Sequence, residues 1–356
     1  MSEQILCGTG FVGETYSPEN LEIVIENGSI KEINPARGEV SGYILPAFFN
    51  AHTHIGDTIA LDMPVDRPLA ELVAPPNGLK HQILRETPKP SLLSGMKATL
   101  SFMKQSGTLG FADFREGGKE GVLALSSVLD PAMQACIFGR DGGELLQESY
   151  GFGLSSAHGI KSEENAVAAA KKAGKCIAVH AGEAKHDDIE AAFTLEPDVI
   201  IHATYFNDAD IRHAADEDIM ITICPRSNWI LGGTSSSTRP PVRKLLDAGV
   251  RVSLGTDNAM FVSSDMFAEC SFLMTVYKVT AIEAMSIATR GFELAGIRSG
   301  IAVGNPANLT LLSAGNLQRW SRNPLATALT RSAITGIVSS TSGFESFNNH
   351  QDKKNS

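Results

Sequence analysis

The chain has 356 residues but only five cysteines, Cys7, Cys136, Cys176, Cys224 and Cys270. They are odd in number, widely spaced and form no CxxC. This excludes a disulfide framework and fits reduced thiols in a cytosolic protein. No apolar run reaches the roughly 18 residues a membrane helix needs, so no span is expected. The opening MSEQILCGTG has neither a basic region nor a long apolar core, and no signal peptide is expected. Positive charge is short: 30 Lys and Arg against 40 Asp and Glu give a net charge of −10. That argues against a general nucleic-acid binder. Internal repeats, low-complexity tracts and a glycine-rich phosphate loop are also missing. What is present in quantity is apolar residues, 43% of the chain, enough for one large domain or one domain with a small partner.

Those residues fall into runs. Eight read as strands, at 43–52, 107–114, 134–140, 151–157, 176–181, 197–202, 219–224 and 250–256. Several are apolar throughout, as strands buried on both faces of a parallel sheet are. Helical segments separate most of them. In 162–173, Ser162 is placed to cap, Glu163 and Glu164 suit the positive helix start, and Gly174 stops the helix. Eight such units over residues 43–299 predict a (β/α)8 barrel. A doubly wound open sheet is the alternative, but it lacks its phosphate loop. Before the barrel, 21–34 alternates around Asn27-Gly28 and predicts a β-hairpin. With 300–344 after the barrel, residues 1–42 are expected to form a small β-sandwich from both chain ends. A polar, disordered tail is expected over 345–356.

The polar residues that close these runs carry the chemistry. YILPAFFNAHTH ends in His52 and His54, two positions apart and so on one face of a strand. CIAVHAGE carries His180 and Glu183, VIIHATYF carries His202 and VSLGTDNAM carries Asp257. A parallel barrel collects such residues at the C-terminal ends of its strands. Imidazoles with one carboxylate suit Zn²⁺ or Fe²⁺.

Here the chain resembles the amidohydrolase superfamily of metal-dependent hydrolases. The branch it looks most like holds cytosine deaminases, chlorohydrolases and nucleoside deaminases. LPAFFNAHTH, VHAGE, CPRSN at 224–228, GTDN at 255–258 and the closing AIEAMSIATRGFELAGI…GNPANLTLL carry the resemblance. It implies that His52, His54, His180 and Asp257 hold a divalent metal, Zn²⁺ with Fe²⁺ as the alternative. It implies that Asp257 takes a proton from the hydrolytic water and that Glu183 shuttles one to the ring nitrogen or the leaving group. His202 would orient the water or join the ligands. Binuclear members carry a carboxylated lysine at the end of the fourth strand; here GFGLSSAHG has none and Lys161 comes later, so one ion is expected.

The expected function is hydrolytic deamination of a heterocyclic amine of pyrimidine, purine, pterin or triazine type. The alternatives are hydrolysis of a formimino or imidazolone C–N bond and a non-catalytic ligand-binding paralogue. The expected partner is a small-molecule substrate, with neither nucleic acid nor membrane; a homo-oligomer is left open. Arg115, Arg226, Asn228 and His158 are the candidates for substrate binding, and Arg140 is a third arginine at a strand end. Residues 57–81 are expected to form a lid.

Overall fold

The computed structural model describes residues 3–157, 163–340 and 343–346. At the N-terminus, β1 (Glu3–Val12), β2 (Ser17–Glu26) and β3 (Ser29–Pro35) form an antiparallel meander. The β2–β3 turn is the Asn27-Gly28 pair, with φ of 52° and 75°. Two left-handed residues in succession match the right-handed twist of the flanking strands. A side chain at Gly28 would also strike the Ser340 carbonyl.

β4 (Tyr43–Pro46) and β5 (Phe48–His54) were expected as one strand, and the chain changes sheet between them. The Ala47 N–H bonds to the Asn308 carbonyl, while the next N–H, on Phe48, bonds to Gly107. β4 therefore lies between β1 and the later β14 (Leu309–Ser313), outside the barrel. With β15 (Ala333–Ser339) and β16 (Gly343–Ser346) this makes one seven-stranded sheet from both chain ends, in the order β16-β15-β14-β4-β1-β2-β3. Leu6, Ile23, Ile44, Leu309 and Val338 share its apolar cluster. This is one hydrogen-bonded sheet, not two separate ones. Glu345 and Ser346 are paired in β16, so the expected tail does not begin at 345; residues 347–356 lie outside the described residues.

The second sheet holds the site. It runs from β5 through β6 (Thr108–Phe114), β7 (Gln134–Gly139), β8 (Gly151–Leu154), β9 (Cys176–Ala181), β10 (Val199–His202) and β11 (Met220–Ile223) to β12 (Val252–Leu254), every neighbour parallel. Each expected barrel run lies on one of these strands. β13 (Asp257–Asn258) follows β12 directly in the chain, yet it pairs with β5 at the opposite edge. The sheet thus returns on itself as a TIM-like barrel. Two contacts make the closure. The Asn50 side chain bonds the Thr256 hydroxyl at 2.8 Å and its N–H at 3.0 Å. Gly255 lies so close to β5 that a Cβ there would be 2.6 Å from the His52 Cβ.

Helices cover the strands, and Ile177, Ile200, Ile221, Leu245, Met285 and Ala288 join them in the main core. The helix expected at 162–173 spans Glu164–Lys172 and stops before Gly174, whose φ is 69°; its expected cap, Ser162, lies outside the described residues. No helix among the described residues is long and apolar enough to cross a membrane.

Asn50→Ala should weaken this closure. It strands the Thr256 N–H and hydroxyl in the core, at a cost of roughly 1–3 kcal/mol for each buried group left without a partner. Urea unfolding should register that loss; unchanged stability would show that Gly255 packing alone closes the barrel.

Candidate active site

The candidate donors meet at the C-terminal end of the barrel, where His54, His180, His202 and Asp257 line one cavity of about 530 Å³ and His52 lies beneath them. His52, His54, His180, His202 and Asp257 are buried. His52 Nε2 lies 3.2 Å from His180 Nε2 and 3.2 Å from Asp257 Oδ1; His54 Nε2 is 3.6 Å from the same oxygen. The donor atoms of His52, His54 and His180 lie within 4.8 Å of one another, as do those of His52, His202 and Asp257.

The groups behind these atoms fix their orientation. His180 Nδ1 is 2.7 Å from the Leu154 carbonyl, and His54 Nδ1 is 3.0 Å from that of Phe114. A backbone carbonyl can only accept, so both Nδ1 atoms carry the proton and both Nε2 lone pairs face inward. Asn228 Oδ1 takes the same role for His202 Nδ1 at 2.9 Å, and Asn228 is held by donating to the Thr204 hydroxyl. The Ser227 hydroxyl donates to Asp257 Oδ2 at 2.6 Å, leaving Oδ1 to face the histidines. His202 and Asp257 sit in left-handed backbone conformations, with φ of 77° and 63°. For non-glycine residues this is strained, and the surrounding structure must hold it.

The electrostatics leave the cluster short of positive charge. Burial pushes His54 down to about 3, with Lys80 adding to it. His180 is held well below its ordinary range by burial and then by the other histidines. For Asp257, burial alone would raise the pKa, but contact with His52 and the charges of the other histidines bring it well below the usual carboxylate range. The inward lone pairs of His54 and His180, kept neutral by burial, therefore converge with the Asp257 carboxylate. His52 Nδ1 is buried with no hydrogen-bond partner among the described residues. This donor set fits a divalent metal ion.

Behind His54 lies a charged network whose members the sequence did not reveal as partners. Glu116 Oε1 is 2.8 Å from His54 Nδ1 and 2.8 Å from Lys80 Nζ, and Lys80 also meets Asp57 Oδ2 at 3.0 Å. Burial alone would raise Glu116, but Lys80, His54 and Arg115 pull it well below the usual range. Lys80 comes from the segment 57–81, which folds into short helices including Leu69–Val73 and lines the cavity through Val73, Ala74 and Pro75. An acid two residues beyond the β6 run was the only sequence signal for Glu116.

The expected substrate-binding residues fare differently. Arg115 is buried and spent on Asp113 and Glu116, with its guanidinium against Gly56. Arg226 points away from the cavity; its Nε bonds Glu269 at 2.8 Å and its Nη atoms bond Ser263 and the Asp265 carbonyl. Both arginines serve packing, because each meets an acid brought by the fold. Asn228 is likewise occupied with His202 rather than lining the cavity. His158 and Lys161 lie outside the described residues. Glu183 does face the cavity, with Oε1 3.7 Å from His202 Nε2.

Residues 157–342 match the amidohydrolase family. A putative aminohydrolase of Methanothermobacter thermautotrophicus is 31% identical, over 93% of this chain and 95% of its own. The chain belongs to the amidohydrolase family. It is a hydrolase of carbon–nitrogen bonds. A 5-methylthioadenosine/S-adenosylhomocysteine deaminase of Pelotomaculum thermopropionicum is 27% identical over 77% of this chain and 75% of its own. An adenosine deaminase of Xanthomonas campestris, solved with bound zinc, superposes with a TM-score of 0.78 at 17% identity, covering 91% of this chain and 88% of that one. At that identity the likeness speaks for the fold. This amidohydrolase shares it, with its donors at the strand ends.

The network behind His54 should tune metal binding in the amidohydrolase. Groups that orient a ligand from behind are worth about 10- to 100-fold in metal affinity. Glu116→Gln is expected to weaken Zn²⁺ binding by that factor in competition with a chelating dye. Unchanged affinity would mean that the Phe114 carbonyl alone orients His54.

Proposed function

We propose that this amidohydrolase hydrolytically deaminates a heterocyclic amine, using one divalent ion, Zn²⁺, held by His52, His54, His180 and Asp257. The observation that carries the reading is Glu183: a carboxyl on the same cavity wall as the donor cluster, outside the ligand set, beside His202. Burial raises its pKa, opposed by His202. A raised pKa suits a carboxyl that must carry a proton near neutral pH.

When bound, the ion lowers the pKa of water from near 16 to roughly 7, supplying a nucleophile at neutral pH. The protein's residues then divide the proton work. Asp257 Oδ1, held toward the histidines by Ser227, takes a proton from the attacking water. Glu183 gives a proton to the ring nitrogen next to the attacked carbon, takes the second water proton from the new hydroxyl and passes it to the departing amine, and the proton on Asp257 returns to Glu183. The C–O bond forms, the C–N bond breaks, and ammonia and a ring carbonyl result. His202 Nε2, with its ring set by Asn228, orients the water. Ala70, Val73, Ala74 and Pro75 give the cavity an apolar wall suited to a flat ring.

One ion fits because β8 is followed by Ser155 and Ser156, which offer no carboxylated lysine to bridge a second. Metal analysis of purified protein should give about one Zn²⁺ or Fe²⁺ per chain; two tightly held ions would overturn this count.

Glu183→Gln keeps size and hydrogen bonding but cannot carry the proton. Loss of general acid–base help costs about 10²–10⁴-fold in rate. That loss is expected in ammonia release, with metal content near wild type, whereas His180→Ala should lose metal as well. Near-normal turnover in Glu183→Gln would remove Glu183 from the mechanism. A metal-loaded enzyme that releases no ammonia across pyrimidines, purines, pterins, triazines and formimino acids would overturn the deaminase reading itself.

A further inference from the structure

Three arginines close barrel strands on the face that holds the site, and two are neutralised by the fold. Arg140, directly after β7, is the exception. It lines the same cavity as His54, Glu183, His202 and Asp257, yet its Nε and Nη2 are buried without a hydrogen-bond partner among the described residues. No ion pair is made to it among the described residues. Its chain neighbour Asp141, the natural candidate, is exposed and turned aside by a left-handed backbone with φ of 53°. The acids that share the cavity are engaged elsewhere: Glu116 with Lys80, His54 and Arg115, Asp257 with the histidines and Ser227, Glu183 beside His202.

A buried guanidinium edge without acceptors is costly, because it has lost water and gained nothing in return. The cost is repaid when a ligand brings the acceptors. The two free nitrogens are the right pair for one class of ligand. Nε–H and one Nη2–H lie along the same edge of the planar group and point in parallel, so they match the two oxygens of a carboxylate. Neutral acceptors such as a ring carbonyl would satisfy one of the two. Ser155, exposed at the end of β8, and His81, whose Nε2 is 3.2 Å from the Val73 carbonyl, share this lining.

We propose that Arg140 is a specificity-determining residue that binds a carboxylate carried on the amino-heterocycle, so that the substrate is a carboxylated heterocyclic amine and not a neutral base. This rests on the deaminase reading for the identity of the ring, and on Arg140 alone for the charge. It also reconciles an anionic substrate with a protein of net charge −10. A short-range bidentate pair inside the cavity outweighs surface charges screened beyond about 8–10 Å.

The test uses full-length, metal-loaded enzyme and matched pairs of amino-heterocycles. Each pair is a ring carboxylate and its carboxamide, on aminopyrimidine, pterin and aminotriazine rings. Binding is read by calorimetry and turnover by ammonia release. At least one carboxylate should bind about 10- to 100-fold more tightly than its amide, the scale of a desolvated charge pair. Arg140→Gln should bring that ratio close to one. Arg140→Lys, which keeps the charge and guards against misfolding of the glutamine variant, should restore only part of it.

Two results overturn the proposal. One is that no carboxylate binds more tightly than its amide; the other is a preference that survives in Arg140→Gln. Either result is decisive whether or not ammonia is released. If carboxylates bind through Arg140 but no ammonia appears, the deaminase reading fails and the Arg140 site stands.

Discussion

His52 Nε2 faces both His180 Nε2 and Asp257 Oδ1 at 3.2 Å, buried at the floor of the cavity. Lone pairs so placed repel unless a cation lies between them, and burial keeps the imidazoles from supplying their own protons. The rest of the structure is arranged around this crowding. The closing strand must come within contact of β5, which is why residue 255 has no side chain and why Asn50 bonds across to Thr256. Asp257 must turn back toward β5, and its backbone is left-handed to do so. Carbonyls of Leu154 and Phe114 hold two rings from behind.

The strain is distributed over elements from across the whole chain. β5, β6, β8, β9, β10 and the closing strand each contribute a candidate donor atom or the group that orients one. The segment 57–81 adds Lys80, which joins the cover of the cavity to Glu116 and so to His54. A change in how this cover sits therefore reaches the donor cluster through two ion pairs. This gives the buried charges behind His54 a physical role: Lys80 adds to the burial that keeps the imidazole neutral, and Glu116 holds the ring from behind.

Much of this was legible in the sequence. Apolar runs of strand length, four of them with a histidine or an aspartate at the end, pointed to the barrel and its donors, because burial on both faces leaves no alternation to blur the signal. What stayed hidden depended on contacts between distant residues. The run 43–52 reads as one strand, and only the partners of Ala47 and Phe48 show that the chain changes sheet there. Arg115, Arg140 and Arg226 look equivalent in sequence, each a cation after a strand. Glu269 claims one and Asp113 with Glu116 another, and Arg140 remains over. Ser227 and Asn228 sit in the CPRSN motif, but their tasks, holding Asp257 and His202, depend on strands β10 and β13 lying beside it.

The proposed site is a crowded cluster built around a single ion with nitrogen and oxygen ligands. X-ray absorption at the zinc edge of the loaded protein reads that shell. Nitrogen and oxygen neighbours at about 2.0–2.2 Å are expected, with the multiple scattering of several imidazoles. A sulfur shell near 2.3 Å, which would bring in buried Cys224, or a second metal scatterer would contradict the proposed site.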